Sequence, residues 1–352
     1  MGERLLSPLF NWEAVLKRER ILRKRIKESG NYFSSPKDNI EFISSGSKML
    51  DLALGGGWAE NRISNVVGDK SSGKTLLCIE AAANFAIKHP EGRILYRECE
   101  AAFDPQYAQE LGMPIDRVDF GEPFETVEDM FEDLTSIVEK AKHPTFYILD
   151  SLDSLSDRSE MSRDMGEGTY GAEKAKKLSQ LFRRLVRKLQ GACVTVMIVS
   201  QVRDNIGVTF GRKTTRSGGR ALDFYASQVV FLAQIKTLKR TVSGIERPVG
   251  ISVRAKIDKN KISLPYREAD FDIAFGYGVD DVASCLEWLK TVKALDEVEV
   301  GPKDIKKFCR SLEKLSGREY REFVRKIHRV VEKRWYAIEE SFMPSRRKYG
   351  NG

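Results

Sequence analysis

The stretch GDKSSGKT (residues 68–75) follows the apolar run ISNVV (63–67) and leads into LLCIEAAANFAI (76–87). It matches G-x-x-x-x-G-K-[ST] and has the strand–loop–helix setting that the pattern requires. Gly68 and Gly73 let the backbone curl, so that amide N–H groups from Gly68 through Asp69, Lys70, Ser71, Ser72, Gly73, Lys74 and Thr75 to Leu76 point at phosphate oxygens. The start of the helix adds its dipole. Lys74 would reach the β- and γ-phosphates, and Thr75 would ligate Mg²⁺. A glycine-rich turn matching by chance is the plain alternative, and the flanking elements argue against it. The stretch implies a nucleoside triphosphate site.

Outward from this loop, short apolar runs at 63–67, 93–98, 145–150 and 193–200 alternate with helical patterns at 74–89, 104–112, 125–141 and 172–190. That rhythm predicts an α/β fold with a mostly parallel central sheet flanked by helices. After residue 227 four consecutive strand-like runs, QVVFLAQI, GISVRAKI, KISLPY and FDIAF, suggest an antiparallel extension. From 280 onward the pattern is helical. The expected organisation is an N-terminal basic helix and linker (1–40), an ATPase core (41–282) and a small basic helical domain (283–352).

The 352 residues carry 59 Lys+Arg against 51 Asp+Glu, a net charge of +8. The surplus lies in the ends, because 31–300 is slightly acidic; this suggests appended electrostatic elements rather than a uniformly basic body. No segment approaches ~20 uncharged apolar residues, so no membrane span is expected. Cys78, Cys99, Cys193, Cys285 and Cys309 are scattered without C-x-x-C spacing, which favours a reduced, cytoplasmic protein over a disulfide scaffold. His89, His143 and His328 are far apart in sequence, form no metal or triad pattern, and receive no role.

Hydrolysis needs partners for the loop. TFYILDSLDSL (145–155) is an apolar strand ending in Asp150, which can hold Mg²⁺ through water. In YRECEAAFDP (96–105), Glu98 and Glu100 end another strand and could position an attacking water. Gln201, at the end of VTVMIVSQ, could sense a γ-phosphate. Each of these also reads as structural on its own. In DKNKISLPY (258–266), Lys259 and Lys261 sit two apart in a β-type run, so a strand would set both ammonium groups on one face. That pairing is unfavourable unless water or an anion lies between them; a solvated edge strand guarded by lysines is the alternative.

Taken in order and spacing, ISSGSKMLDLALGGG (43–57), VVGDKSSGKTLL (66–77), ECEAAFDPQYAQELG (98–112), YILDSLDSL (147–155), VSQVRDNIGVTFG (199–211), SGGRALDFYAS (217–227) and DKNKISLPYREADF (258–271) resemble the RecA family of homologous-recombination ATPases. The resemblance runs from about Ile43 to Asp281. It implies a RecA-like core, ATP and Mg²⁺ as cofactors, and a helical filament on single-stranded DNA that pairs and exchanges strands with homologous duplex. It further implies that Glu100 is the general base with Glu98 beside it, and that Gln201 is the γ-phosphate switch. Asp104, Tyr107 and Phe275 would lie against the adenine, and Phe224 at a protomer contact. Lys259 and Lys261 match the two lysines that reach the γ-phosphate from an adjacent subunit.

Two polar, glycine-rich segments resemble the family's DNA-binding loops. SDRSEMSRDMGEGTYG (156–171) contains Met165. RDNIGVTFGRKTTRSGGR (203–220) carries Arg203, Arg212, Lys213, Arg216 and Arg220 with Ser217, Gly218 and Gly219, while Ile206 and Phe210 could wedge between bases. On the helix between them, Leu178, Leu181, Phe182, Leu185 and Leu189 share one face. Lys176, Ser179, Gln180, Arg183 and Arg187 share the other, which suits either DNA or plain solvation. Contacts of this kind go mainly to the backbone, so binding should be nearly independent of sequence and sensitive to salt.

Departures from the family pattern are Lys70 in the phosphate loop, Ser200 before Gln201, and both ends of the chain. The N-terminal segment, with Tyr32 and Phe33 as anchors, is expected to pack on the next protomer. Arg321, Arg325, Arg329 and Lys333 form a stripe that reads as a duplex-DNA surface or as solvation. The end SRRKYGNG is not acidic, so autoinhibition by an acidic tail is not expected. A divergent frame around a retained core resembles a phage-encoded relative, which would act in the host cytoplasm. The alternatives are a replicative helicase and an ATP-switched DNA-binding filament or regulatory protein without strand exchange.

Overall fold

The computed structural model describes residues 40–161, 171–189, 191–204, 214–215, 221–312 and 314–344. Tyr32, Phe33, Met165, Ile206, Phe210, Arg212, Lys213, Arg216, Ser217, Gly218, Gly219 and Arg220 lie outside the described residues. From Phe42 onward the chain forms one unit.

A short pairing of β1 (Phe42–Ile43) with β2 (Trp58–Ala59) brackets helix α1 (Lys48–Leu54). The doubly wound part follows: β3 (Ile63–Gly68), α2 (Lys74–Lys88), β4 (Arg93–Glu98), α3 (Pro105–Glu110), β5 (Val118–Asp119), α4 (Val127–Lys140) and β6 (Thr145–Asp150). After α5 (Arg158–Met161), α6 (Gly171–Leu189) leads into β7 (Val194–Gln201). Next come β8 (Arg203–Asp204), β9 (Thr214–Thr215) and α7 (Ala221–Tyr225), and then an antiparallel series, β10 (Gln228–Val242), β11 (Ile245–Asn260), β12 (Glu268–Ala274) and β13 (Gly278–Asp280). Helices α8 (Asp281–Thr291), α9 (Ile305–Leu312) and α10 (Gly317–Ser341) close the described chain.

The main sheet runs β13-β12-β11-β10-β3-β7-β6-β4-β5, parallel from β10 to β5 and antiparallel from β10 to β13. Burial separates the two halves. β3 and β6 are buried at every residue and β7 at all but Gln201, as parallel strands covered on both faces require. β12 alternates instead, with Ala269, Phe271 and Ile273 inward and Glu268 and Asp270 exposed. One core lies between α1, α2, α8, α9, α10 and a face of the sheet; the other lies under α4 and α6. On α6, Leu178, Phe182, Leu185 and Leu189 are buried while Lys176, Gln180, Arg183 and Arg187 are exposed. Among the described residues no helix is long and apolar enough to cross a membrane.

The antiparallel half departs from the sequence reading in two ways. β10 and β11 are longer than expected, and their ladder turns at Ser243 and Gly244, whose φ of 49° and 81° suits a tight hairpin. KISLPY is not a strand. The Asn260 side-chain oxygen accepts the N–H groups of Ile262 and Ser263 at 2.9 and 3.1 Å, an Asx turn that ends β11. Lys259 is therefore within the strand and Lys261 just beyond its assigned end, although the Lys261 N–H still donates to the Ser227 carbonyl at 2.8 Å. Lys261 still lies near enough for its charge to act on Lys259.

Candidate active site

The phosphate loop sits at the carboxyl end of β3, where the fold places open backbone beside a helix N-terminus. Gly73 caps α2 with φ 91°, and a Cβ there would come 2.6 Å from Ile273 Cδ1. Gly68 has no such φ, but its Cβ would meet the Leu232 carbonyl of β10 at 2.9 Å. One glycine is required by conformation and the other by packing. Lys74 is only 8% exposed, and its Nζ donates to the Asp69 carbonyl at 2.7 Å, which holds the ammonium inside the curl. The Ser72 hydroxyl donates to the same carbonyl at 2.8 Å. Burial pulls the Lys74 pKa down, opposed by the charges of Asp150, Glu100, Asp69 and Asp153. Lys70 is exposed, with its amide on the Asp69 carboxylate.

Two neighbouring strand ends supply carboxylates. Asp150, buried at the end of β6, accepts the Thr75 hydroxyl at 2.7 Å and the Tyr96 hydroxyl at 2.8 Å. Burial pushes its pKa up, while those two hydrogen bonds pull it down. Thr75 and Asp150 are thus an adjacent pair of oxygen donors, a fit for a hard cation such as Mg²⁺. Glu100 is exposed, and its Oε1 accepts the Gln201 amide at 2.6 Å and the Ser151 hydroxyl at 2.5 Å. The Gln201 N–H donates to Asp153 at 2.6 Å. Glu98 does something the sequence did not suggest: its carboxylate accepts the N–H groups of Glu100, Ala101 and Ala102 at 2.9, 2.9 and 3.1 Å. It anchors the turn that carries Glu100.

Asp104, Tyr107 and Phe275 converge with the loop. Together with residues Ser71–Leu76 they line one cavity of about 310 Å³, also walled by Ile251 and Ile273. Asp104 is in addition the N-cap of α3, accepting the Tyr107 N–H at 3.1 Å. Sequence reasoning missed Tyr96, Ser151, Asp153 and the wall residues Ile251 and Ile273. Ser151 and Asp153 sit in the repeated Asp-Ser of DSLDS, a polar run on an apolar strand end that was there to be read.

Lys259 and Lys261 are not among the residues that line this cavity in their own chain. The Lys259 ammonium donates to the Asp223 and Phe224 carbonyls at 2.6 and 2.7 Å, at the end of α7, and lies 5.8 Å from the Phe224 ring centroid. Burial, then the charge of Lys261, brings its pKa down to about 8. Phe224 beside it is 70% exposed. Ser200, which departs from the family pattern, donates to Asn65 on β3 at 2.9 Å, so the buried hydroxyl has its own partner.

Of the expected DNA contacts, Lys176 is exposed and the Arg183 guanidinium bonds the Tyr225 hydroxyl at 3.3 Å, with Ser179 on the same hydroxyl. Arg203 and Asp204 of β8 pair with Thr215 and Thr214 of β9, so the two ends of the segment 205–213 are brought together directly after Gln201. Arg321, Arg325, Arg329 and Lys333 are all exposed on α10, and Lys333 bonds Glu297 at 3.2 Å.

The chain matches the family model described as the RecA N-terminal domain over residues 21–280. It is 37% identical over 251 residues to Protein RecA of Prochlorococcus marinus (strain NATL1A), covering 71% of this chain and 64% of that protein. To Protein RecA of Streptomyces ambofaciens it is 37% identical over 244 residues, 69% of this chain and 63% of that one. The match thus spans somewhat less than two thirds of these relatives. The crystal structure of the RadB recombinase superposes with a TM-score of 0.50 at 20% identity, over 68% of this chain and 100% of that one, a likeness of fold. With the family model matching most of the chain, and the phosphate loop, carboxylates and Gln201 arranged as described, the chain belongs to the RecA family.

Proposed function

We propose that this protein is an ATP-dependent DNA recombinase: a DNA-dependent ATPase that forms helical filaments on single-stranded DNA and exchanges strands with homologous duplex. The observation that carries the reading is the Gln201 amide on Glu100 at 2.6 Å, immediately before β8 and the polar segment that follows. Of the two side chains that donate to the hydrolytic carboxylate, Ser151 and Gln201, Gln201 also begins the DNA-loop segment. A γ-phosphate would compete for this amide, and the backbone it pulls is the start of that loop.

In this mechanism the loop amides from Gly68 to Leu76 and the Lys74 ammonium hold the phosphates. Thr75 and Asp150 hold Mg²⁺, which neutralises phosphate charge when bound. Glu100, held by Ser151 and Gln201, accepts a proton from the attacking water. Asp104, Tyr107 and Phe275 take the base. Lys259 and Lys261 act on the γ-phosphate of a neighbouring protomer, with the exposed Phe224 at that contact. Arg203, Arg212, Lys213, Arg216 and Arg220 with the Lys176 face of α6 bind DNA backbone, independent of sequence. Residues 1–40 pack protomers together, 283–352 form a basic appended element, and the site of action is the cytoplasm.

The test is joint-molecule formation between homologous single-stranded and duplex DNA with ATP. Pairing is expected with homologous and not with heterologous duplex. Filaments and DNA-stimulated hydrolysis without pairing would leave an ATP-switched DNA-binding protein instead. Unwinding of a forked duplex by rings would identify a helicase.

A further inference from the structure

Outside the nucleotide cleft, three side chains from two helices converge where α8, α10 and α1 meet. Asp281 opens α8, Cys285 follows one turn later, and His328 projects from α10. His328 Nε2 lies 2.6 Å from Asp281 Oδ2, and Cys285 Sγ lies 3.7 Å from Asp281 Oδ1. The three donor atoms all fall within 4.8 Å of one another. We propose that Asp281, Cys285 and His328 form a transition-metal site, with Zn²⁺ the best fit, that fastens the C-terminal helix to the core.

The donor set suits that ion: a thiolate, an imidazole and a carboxylate are its usual ligands, and hard cations would not choose the sulfur. Tetrahedral Zn²⁺ places its ligand atoms about 3.3 Å apart for N and O and about 3.5 Å apart for S and O. The sulfur stands 3.7 Å from Oδ1 and the imidazole 2.6 Å from Oδ2, so the ion would enter between the two side chains on the carboxylate with the imidazole moving outward from Oδ2. Asp281 is oriented from behind, since its Oδ1 accepts the Lys48 N–H at 2.6 Å, the kind of outer contact that metal ligands use. Water can supply the fourth position, since Glu332, one turn beyond His328, is engaged by the Lys48 ammonium at 3.3 Å.

Cys285 is fully buried beside Asp281, so a bound ion would sit out of water with the sulfur as its innermost ligand. On binding, Cys285 releases its proton to solvent as its sulfur becomes the ligand, and no oxidation state changes, so no redox partner is needed.

Co²⁺ titration of the full chain, stripped of metal and free of nucleotide, tests the site. Expected is one equivalent bound with a thiolate-to-Co²⁺ absorption band, displaced by Zn²⁺. The oxygen-only Thr75–Asp150 pair cannot produce that band. Cys285→Ser should abolish it and His328→Gln should weaken binding by at least about tenfold, while Cys309→Ser leaves it unchanged. Absence of the band in the unsubstituted chain overturns the proposal, as does a band of full strength in His328→Gln. The His328 variant keeps the test valid if Cys285→Ser does not fold.

Discussion

Lys74 and Lys259 are both lysines assigned to the same phosphates, yet their surroundings differ in kind. Lys74 is buried, faces four carboxylates, and sits in a curl built from consecutive residues. Lys259 is half-buried, has another lysine as its neighbour, and rests its ammonium on two backbone carbonyls. The first environment is complete within one chain because strand ends β3, β4, β6 and β7 bring every ligand to one edge of the sheet. The second holds a cation with nothing anionic that repays its burial except the weaker, opposing pull of Asp223. Its shortfall is what a partner's phosphate would supply.

The comparison breaks most visibly at Lys74. Lys74→Ala removes the buried cation of the loop curl, and ATP hydrolysis should fall about a thousandfold, with loss of nucleotide-dependent filament assembly. Hydrolysis at the original rate would show that the loop is not the site.

The second test concerns the other half. Lys259→Ala combined with Lys261→Ala should leave nucleotide binding by isolated protomers intact and lower DNA-stimulated hydrolysis by about a hundredfold to a thousandfold, the range for losing a donor aimed at developing charge. Weaker nucleotide binding by isolated protomers would instead place both lysines in their own chain's cleft. A pH signature accompanies this. The Lys259 pKa of about 8 in the protomer lies below that of an unfolded lysine. Between the two values the unfolded chain binds the extra proton, so this group makes the protomer more stable as pH rises through that window. Assembly has the opposite sign, because an adjacent phosphate favours the ammonium. ATP-dependent assembly above pH 8 should therefore take up protons, measurable by calorimetry in buffers of different ionisation enthalpy, and Lys259→Met should remove that uptake.

How far the sequence carried the reading follows the same division. β3, β6 and β7 are legible because strands covered on both faces are continuously apolar, and a P-loop is legible because its ligands are consecutive. Where function depends on a side chain folding back on the main chain, the pattern is silent. Asn260 ends β11 by capping two amides, so KISLPY looks like a strand and is a turn. The Asp281–Cys285 spacing is visible as one helical turn, but His328 enters only through the packing of α10 on α8, which no local period encodes. His328 was accordingly given no role, and its position beside Asp281 is a finding of the fold.

Glu98 is the finest case, and it sharpens what completeness within one chain means. The sequence offered two acids at the end of β4 for one water. The fold separates them: Glu100 accepts from Gln201 and Ser151, while Glu98 gives both carboxylate oxygens to the amides of Glu100, Ala101 and Ala102. Ala101 sits at φ 54°, a conformation uncommon for a side-chain-bearing residue, so this turn needs an external hold. Glu98→Gln keeps the shape but offers one acceptor oxygen in place of two. At least one amide then turns to water for its partner, and Glu100 loses its fixed position before its chemistry. The expected result is a fall in kcat of about tenfold with KM for ATP nearly unchanged, because the cavity around Asp104, Tyr107 and Phe275 is untouched. A change in KM with kcat preserved would mean that Glu98 acts through nucleotide binding. Neither changing would mean that Ser151 and Gln201 alone suffice to hold the base.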